Sequence, residues 1–275
     1  MLHPSKTPVG DGLQTVPRQT VPRRTVPRQT VSRVAREVHR AKRELVARAR
    51  STAGFDASRY FRAAGDLGFH NVGTASVRAL ARAIQHDHRD DWTVADAAAF
   101  ADAMVRDRFL EAKGVGIEVL AGYRRSFTPA LLRQWKQWLA AGYSTNWATT
   151  DGICGSLVGP LLVDRPALAP KVAAWAGDRN MWVRRASAVA LIPSVRRGVA
   201  LDLAYRVAAQ LHRDGEDLIQ KAVGWLLREA GKRDMGRLEA YLRAKGAVIP
   251  RTTVRYAIER FPAAKRAALL RATRA

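Results

Sequence analysis

Three tryptophans in the carboxy-terminal half of the sequence each have a charged residue one helical turn further on. The pairs, in chain order, are Trp147 with Asp151, Trp182 with Arg185, and Trp225 with Arg228. Side chains three or four residues apart lie on the same face of an α-helix. Indole faces attract cations, and a carboxylate stabilises a developing positive charge, so these pairs could bind and act on a charged ligand.

Asp151 is the hardest of these charges to explain as ordinary surface. An apolar run follows it, made of Ile153, Cys154, Leu157, Val158, Leu161 and Leu162. Burying a lone charge is costly, so a carboxylate beside such a run must be solvated, paired or functional. The alternative for each of the three pairs is structural, because tryptophans at helical spacing are usually core residues with neighbouring charges at the solvent edge.

The apolar residues follow a helical spacing almost everywhere from Ser32 onward, and no segment alternates for the length of a strand. Helices of about 12 to 18 residues, separated by glycine and aspartate, are typical of antiparallel helical hairpins. The sequence therefore predicts an all-α protein, either a bundle or an α-solenoid. The tryptophan intervals of 35 and 43 residues bracket one helix-pair repeat and favour the solenoid, with the three pairs on one concave surface.

The chain is strongly basic, with 47 Lys and Arg against 24 Asp and Glu in 275 residues and a formal charge of +23. The first 33 residues carry a net charge of +5, which leaves +18 for residues 34–275. A soluble chain with this excess usually binds a polyanion, most often nucleic acid.

The cysteine content and the apolar pattern indicate the compartment. One cysteine excludes internal disulfides and cysteine-rich metal sites, and the absence of long apolar runs argues against a signal peptide or membrane span. We therefore expect a protein of the reducing cytoplasm.

Residues 1–32 are predicted to form a disordered basic arm, and residues 33–275 a single folded domain. The arm contains the repeat TVPRQ TVPRR TVPRQ TVSRV, which begins at Thr15, and five of the twelve prolines. Proline blocks helix formation and favours extended, solvated chain. The arm is interpreted as a flexible, nonspecific DNA tether. The alternative is that the start of the sequence is placed too far upstream.

Three runs of sequence resemble the DNA alkylation repair family, the AlkD-like alkylpurine DNA glycosylases. They are NWATTD at Asn146–Asp151, NMWVRRA at Asn180–Ala186 and LIQKAVGWLLRE at Leu218–Glu229, of which the third is highly specific. A weaker similarity joins Arg59-Tyr60 and the LGF run at Leu67–Phe69 to an early helix of the family. The resemblance covers about residues 56–261. It implies an α-solenoid of HEAT-like antiparallel helix pairs with a concave basic groove.

The resemblance also implies roles for particular residues. Asp151 matches the catalytic carboxylate, and Trp147 and Trp225 match the indoles that border the sugar of the damaged nucleotide. Arg185 matches the arginine that contacts DNA near the lesion, and Tyr60 matches the aromatic residue that completes the pocket.

Three further basic residues are assigned to DNA binding, namely Arg184, Lys221 and Arg228. Arg184 stands where other family members carry a polar residue, so it either adds a phosphate contact or is surface charge. The expected partner is double-stranded DNA that contains alkylated purines. We expect a monomer associated with the nucleoid, with no membrane partner.

The implied activity is hydrolysis of the N-glycosidic bond of cationic alkylated purines such as 3-methyladenine and 7-methylguanine, or of bulkier adducts. A cationic purine is already a good leaving group, so one carboxylate can suffice where most glycoside hydrolases need two. No cofactor is expected. The alternative, from a different class, is a catalytically silent helical-repeat module that binds nucleic acid through its basic face.

Three weaker signals favour structural explanations. His86-x-His88 and its neighbouring aspartates match no regular zinc spacing, and the segment is typical of a loop that ends a helix. Gly114-x-Gly116 lacks the third glycine of a dinucleotide-binding motif and follows no predicted strand. Cys154 has no histidine near it in sequence and lies on an apolar helix face, which favours a small buried residue over a nucleophile. No metal ion is therefore expected.

Overall fold

The computed structural model describes residues 28–52, residue 61 and residues 66–274. Within these ranges the protein is all-α, as predicted, with fifteen α-helices and no β-strand. The helices are α1 (Arg28–Ala47), α2 (Gly73–Asp87), α3 (Val94–Val105), α4 (Leu110–Ala121), α5 (Leu131–Ala140), α6 (Trp147–Ile153), α7 (Gly159–Asp164), α8 (Ala169–Ala173), α9 (Met181–Val189), α10 (Ile192–Arg196), α11 (Leu201–Leu211), α12 (Asp217–Gly231), α13 (Met235–Lys245), α14 (Arg251–Ala257) and α15 (Ala263–Ala272).

The helices are arranged as successive pairs, and the second helix of each pair packs against the second helix of the next. This second-helix row consists of α2, α4, α6 with α7, α9 with α10, α12 and α14. Hydrogen bonds across the row join residues one repeat apart. The spacing is 34 residues between Asp151 and Arg185, 33 between Gln220 and Thr253, and 31 between Arg228 and Glu259. The helices of the row therefore run parallel, and the prediction of a helical-repeat fold is confirmed.

The repeat register explains why the three tryptophans do not share one surface. Asn146 caps α6 and Asn180 caps α9, and these asparagines are 34 residues apart. Trp147 follows the first cap directly, whereas Trp182 stands two residues after the second. One extra residue rotates a side chain by about 100° around the helix. Trp182 is accordingly buried with 6% exposure while Trp147 is 37% exposed, and the structural alternative is the correct one for Trp182.

The described part of the chain begins inside the segment predicted as a basic arm. Helix α1 begins at Arg28, directly after Pro27, while residues 1–27 lie outside the described part of the chain. The fourth copy of the repeat has Ser32 where the earlier copies have proline. A serine keeps the backbone donor that proline lacks, so the helix can extend back through this copy. Among the described helices, none combines the length and apolarity needed to span a bilayer.

Candidate active site

Helix α6 presents an indole and a carboxylate on one face. The side chain of Asn146 accepts a hydrogen bond from the backbone N–H of Thr149 at 2.8 Å and so fixes the first turn. Trp147 follows this cap and Asp151 lies one turn further on. The Asp151 side chain retains 19% exposure, although the apolar residues of the run that follows it are buried. The carboxylate thus lies at the edge of the core, beside the exposed indole.

Asp151 forms a bidentate ion pair with Arg185 of α9. Nε of Arg185 donates to Oδ1 at 2.9 Å, and Nη2 donates to Oδ2 at 2.8 Å. Nη1 donates to the carbonyl oxygen of Leu218, at the start of α12. Arg185 is itself buried, and its planar guanidinium links three neighbouring helices of the second-helix row. The ion pair therefore fixes the position and orientation of the carboxylate.

Two opposing effects act on the ionisation of Asp151. Burial raises the pKa of the carboxyl group above its ordinary value, and the adjacent Arg185 guanidinium lowers it again in part. The neighbouring thiol of Cys154 is fully buried, and burial raises its pKa well above the ordinary value. A thiol in this environment is not a nucleophile, so the interpretation of Cys154 as a small core residue is confirmed.

A π-helical turn connects α6 to α7, over Cys154–Val158. The N–H of Gly159 bonds to the carbonyl oxygen of Cys154, five residues earlier. Pro160 follows, and a proline inside a regular α-helix clashes with the carbonyl four residues before it. The wider turn accommodates this proline. A Cβ on Gly159 would lie 2.5 Å from Cγ of Pro193, so this glycine allows α7 to pack closely against α10.

Lys113 holds the loop that leads into α6. Its ammonium group, on α4, donates to the carbonyl oxygen of Val105 at 2.6 Å and to that of Tyr143 at 2.9 Å. Burial lowers the pKa of Lys113 to about 8, while the negative charge of Asp107 acts in the opposite direction. Tyr143 lies three residues before Asn146, so the lysine positions the chain just before the capped helix begins.

Phe61 stacks on the exposed indole of Trp147. The ring centroids are 5.6 Å apart with an angle of 14° between the planes, and Phe61 also contacts Phe69 at 5.5 Å. The family resemblance implies an aromatic role for Tyr60, which lies outside the described residues. Phe61 is not among the residues predicted from the sequence, and the only signal for it there is its place next to Tyr60 in an aromatic pair.

Trp225 and Trp147 lie on opposite sides of the carboxylate along the direction of the parallel helices. Leu218 is level with Arg185 along the helix direction, because the Arg185 guanidinium donates to the carbonyl oxygen of Leu218. Trp225 follows Leu218 by seven residues, which is about 10 Å along the helix axis. Trp147 precedes Asp151 by one turn, or about 6 Å. Trp225 is partly buried against the core and partly exposed.

The remaining predicted DNA-binding residues are engaged in ion pairs within the protein. Their acidic partners are Asp214 for Arg184, Glu259 for Arg228 and Asp217 for Lys221. Arg184 also donates to the carbonyl oxygens of residues 178 and 179, which makes it a link between α9 and the loop before α12. Lys221 has the most accessible side chain of the three, and its pair with an exposed carboxylate one turn away is weak.

A cavity of about 320 Å³ lies between α2, α4 and α6, next to this face. Ala148 and Gly152 of α6, the residues that follow the candidate indole and carboxylate, line it. The carboxylate of Glu111 also reaches the cavity, but it accepts the backbone N–H groups of His70 at 3.0 Å and Asn71 at 2.7 Å. The described residues contain no cluster of three or more His, Cys, Asp or Glu side chains suited to a metal ion.

Comparison with known proteins places this architecture in a family. A solved structure titled as a predicted DNA alkylation repair enzyme from Enterococcus faecalis is similar, with a TM-score of 0.67 and 18% sequence identity. The similarity covers 80% of this chain and 96% of that one, and it shows the shared fold. No curated protein matches the sequence. The family model described as DNA alkylation repair enzyme matches residues 41–261, and the chain therefore belongs to the DNA alkylation repair enzyme family.

Proposed function

We propose that the protein is a DNA glycosylase that hydrolyses the N-glycosidic bond of cationic alkylated purines in duplex DNA. Its substrates would be 3-methyladenine, 7-methylguanine or bulkier adducts. Membership of the family supports a role in the repair of alkylated DNA. The observation that carries the finer proposal is the carboxylate of Asp151, which is held by Arg185 at 2.8 and 2.9 Å and remains partly exposed beside Trp147.

The proposed chemistry needs one anion. Alkylation of a purine ring nitrogen gives the base a positive charge, and the base leaves with the bonding electrons as a neutral molecule. The sugar then carries the positive charge, and Asp151 stabilises it electrostatically. Water adds to the sugar carbon and loses a proton, which Asp151 accepts or directs to solvent. Because Arg185 fixes the carboxylate, little reorganisation is needed as the charge develops.

The two indoles favour a charged lesion over a normal base. Trp147 and Trp225 would each present a π face or edge near the reacting nucleotide, and a cation–π contact contributes about 0.5 to 2 kcal/mol. Phe61 stacks on the indole of Trp147 and restricts its orientation. Discrimination then depends on the charge of the lesion and not on base sequence. Tyr60 remains part of the proposed aromatic surface.

DNA binding would be largely electrostatic, because residues 34–275 carry a net charge of +18. Lys221 is the most accessible of the assigned basic residues, and Arg184 and Arg228 contribute charge from within their ion pairs. Arg185 has five N–H donors, three of which are used inside the protein. We assign it first to holding Asp151, because its side chain is only 6% exposed and offers little surface to a phosphate.

A catalytically silent DNA-binding module is the second candidate, and the completeness of the Asp151–Arg185 pair favours it, since a paired carboxylate can be purely structural. The two candidates differ in the release of free purine from methylated duplex DNA. We expect release by the wild-type protein, and a reduction of about 100-fold or more in Asp151→Asn.

Asp164→Asn, an exposed carboxylate at the end of α7, is the matched control and should release purine at the wild-type rate. Tight DNA binding by the wild-type protein without purine release would support the silent module. Equal release by wild type and Asp151→Asn would contradict the proposed role of the carboxylate.

A further inference from the structure

Helix α14 continues the second-helix row beyond α12, in the same parallel register. The hydroxyl of Thr253 donates to the carbonyl oxygen of Gln220 at 2.9 Å. Further along, Arg228 of α12 pairs with Glu259, which lies in the turn just after α14 and 31 residues later in the sequence. The same interval of 31 residues separates Trp225 from Tyr256. Tyr256 therefore lies at about the level of Trp225 along the helix axis, one repeat further along the row.

A glycine brings the two helices together at this level. A Cβ on Gly224 would lie 2.4 Å from Cβ of Tyr256 and 2.8 Å from the carbonyl oxygen of Thr253. Any other residue would force α14 away from α12, because contacts this short are not tolerated between backbone atoms. Gly224 directly precedes Trp225. The close approach of the helices thus brings the backbone of α14 at Tyr256 against the residue directly before Trp225.

Tyr256 is one of the few large hydrophobic side chains that are exposed among the described residues, at 39%. Arg255 precedes it, is also exposed, and has no carboxylate partner among the described residues. The acidic residue nearest to them on the same face, Glu259, is neutralised by Arg228. The exposed face of α14 therefore combines an aromatic ring with an uncompensated positive charge.

We propose that Arg255 and Tyr256 form a further DNA-contacting site, adjacent to the nucleotide that Trp225 borders. The ring of Tyr256 packs against the deoxyribose of a neighbouring nucleotide, and its hydroxyl and the Arg255 guanidinium contact phosphate oxygens. This inference deepens the proposed function by naming where the flanking backbone is held, and it requires duplex DNA as the ligand. It does not require Asp151 to be catalytic.

The chemistry of this face favours a polyanion over a protein partner. A protein-binding patch usually centres on apolar residues, whereas here a single ring lies beside an unpaired guanidinium on a chain with a large positive charge. Arginine binds phosphate through its planar set of donors, and aromatic residues pack on nucleotide sugars and bases without sequence preference. A backbone contact of this kind would add affinity without adding base specificity.

The test is equilibrium binding of the full chain to an undamaged duplex oligonucleotide and to one carrying a tetrahydrofuran abasic analogue, over a series of salt concentrations. We expect Tyr256→Ala to weaken binding of both about tenfold, and Tyr256→Phe to retain most of the affinity. Arg255→Gln should reduce the slope of log K against log salt by about 0.9, the value for one phosphate contact. Thermal unfolding of each variant verifies that it is folded.

Two controls come from the other row of helices. Met235→Ala, at a 42% exposed residue of α13, and Arg206→Gln, on the exposed side of α11, should bind both duplexes like the wild type. Variants of Tyr256 and Arg255 that behave like these controls would overturn the inference. If the wild-type protein binds DNA without ever releasing purine, and Tyr256→Ala still weakens that binding, the inference stands and the proposed glycosylase activity is refuted. A wild-type protein that binds neither duplex would refute both.

Discussion

Asp151 and Arg185 occupy the same position in successive repeats, each five residues after an asparagine that caps its helix. The caps are Asn146 and Asn180, and the ion pair spans the 34-residue repeat. In parallel helices, equivalent positions lie side by side, so the repeat register itself brings the two charges together. The candidate catalytic group is thus held by the interaction that joins two repeats.

The first prediction concerns how excision depends on pH. The proposed reaction requires the Asp151 anion, so the rate of purine removal should fall on the acid side with a midpoint above the ordinary aspartate pKa, because burial raises the pKa of this group. Arg185 opposes that rise. Arg185→Gln should therefore move the midpoint to higher pH, and Arg185→Lys should move it less.

Single-turnover rates measured across the acid range, corrected for spontaneous purine loss without protein, give this midpoint. A residue that only stabilised the fold would lower the rate at every pH and leave the midpoint in place. A shift of the midpoint to lower pH in Arg185→Gln would contradict the assigned role.

The second prediction separates the two tryptophans that follow the asparagine caps. Trp147→Ala should slow excision more than it weakens binding to undamaged DNA, with a smaller loss of stability than a core tryptophan would give, because the indole is 37% exposed. Trp182→Ala should instead lower the free energy of unfolding by about 3 to 5 kcal/mol, as expected for a large aromatic residue removed from a core. Urea unfolding and excision assays on both variants check this. Similar losses of stability in the two variants would contradict the register described above.

The third prediction concerns stability at alkaline pH. The pKa of Lys113 is lowered to about 8 in the folded protein and returns to about 10.5 on unfolding. Between these values the unfolded state binds the additional proton, so the contribution of Lys113 to stability rises with pH, by on the order of 2 to 3 kcal/mol. Lys113→Met should remove that rise.

Urea unfolding between pH 7 and pH 10.5 measures this contribution as the difference between wild type and variant. Lys171→Met, at an exposed lysine of α8, is the control and should preserve the wild-type dependence. A parallel pH dependence in wild type and Lys113→Met would show that the lysine is not responsible.

The fourth prediction concerns the basic segment before α1. Deletion of residues 2–27 removes four Lys and Arg residues and one Asp. If this segment is a tether, the slope of log K against log salt should fall by up to about 3 to 4, while excision at saturating DNA is unchanged. An unchanged salt dependence would remove the tether interpretation.

The sequence alone could predict the all-α fold, since apolar spacing reports the face that each helix buries. It could also place Trp147 and Asp151 on one face, because they belong to the same helix. It could not predict the partners of Arg184 and Arg228, which lie about 30 residues away and depend on repeat register. The interval of 35 residues between Trp147 and Trp182 is close to the 34-residue repeat. The one-residue difference places the two indoles on different faces of their helices, and it decides that Trp182 is buried while Trp147 is exposed.

The π turn between α6 and α7 has a consequence for how this protein could change over evolutionary time. A π turn is equivalent to one residue inserted into a continuous α-helix. Removal of a single residue there would convert the π turn into a regular α-helical turn, and Pro160 would then clash with the carbonyl oxygen four residues before it. Evolutionary change between Asp151 and Pro160 is thus constrained in length as well as in residue type.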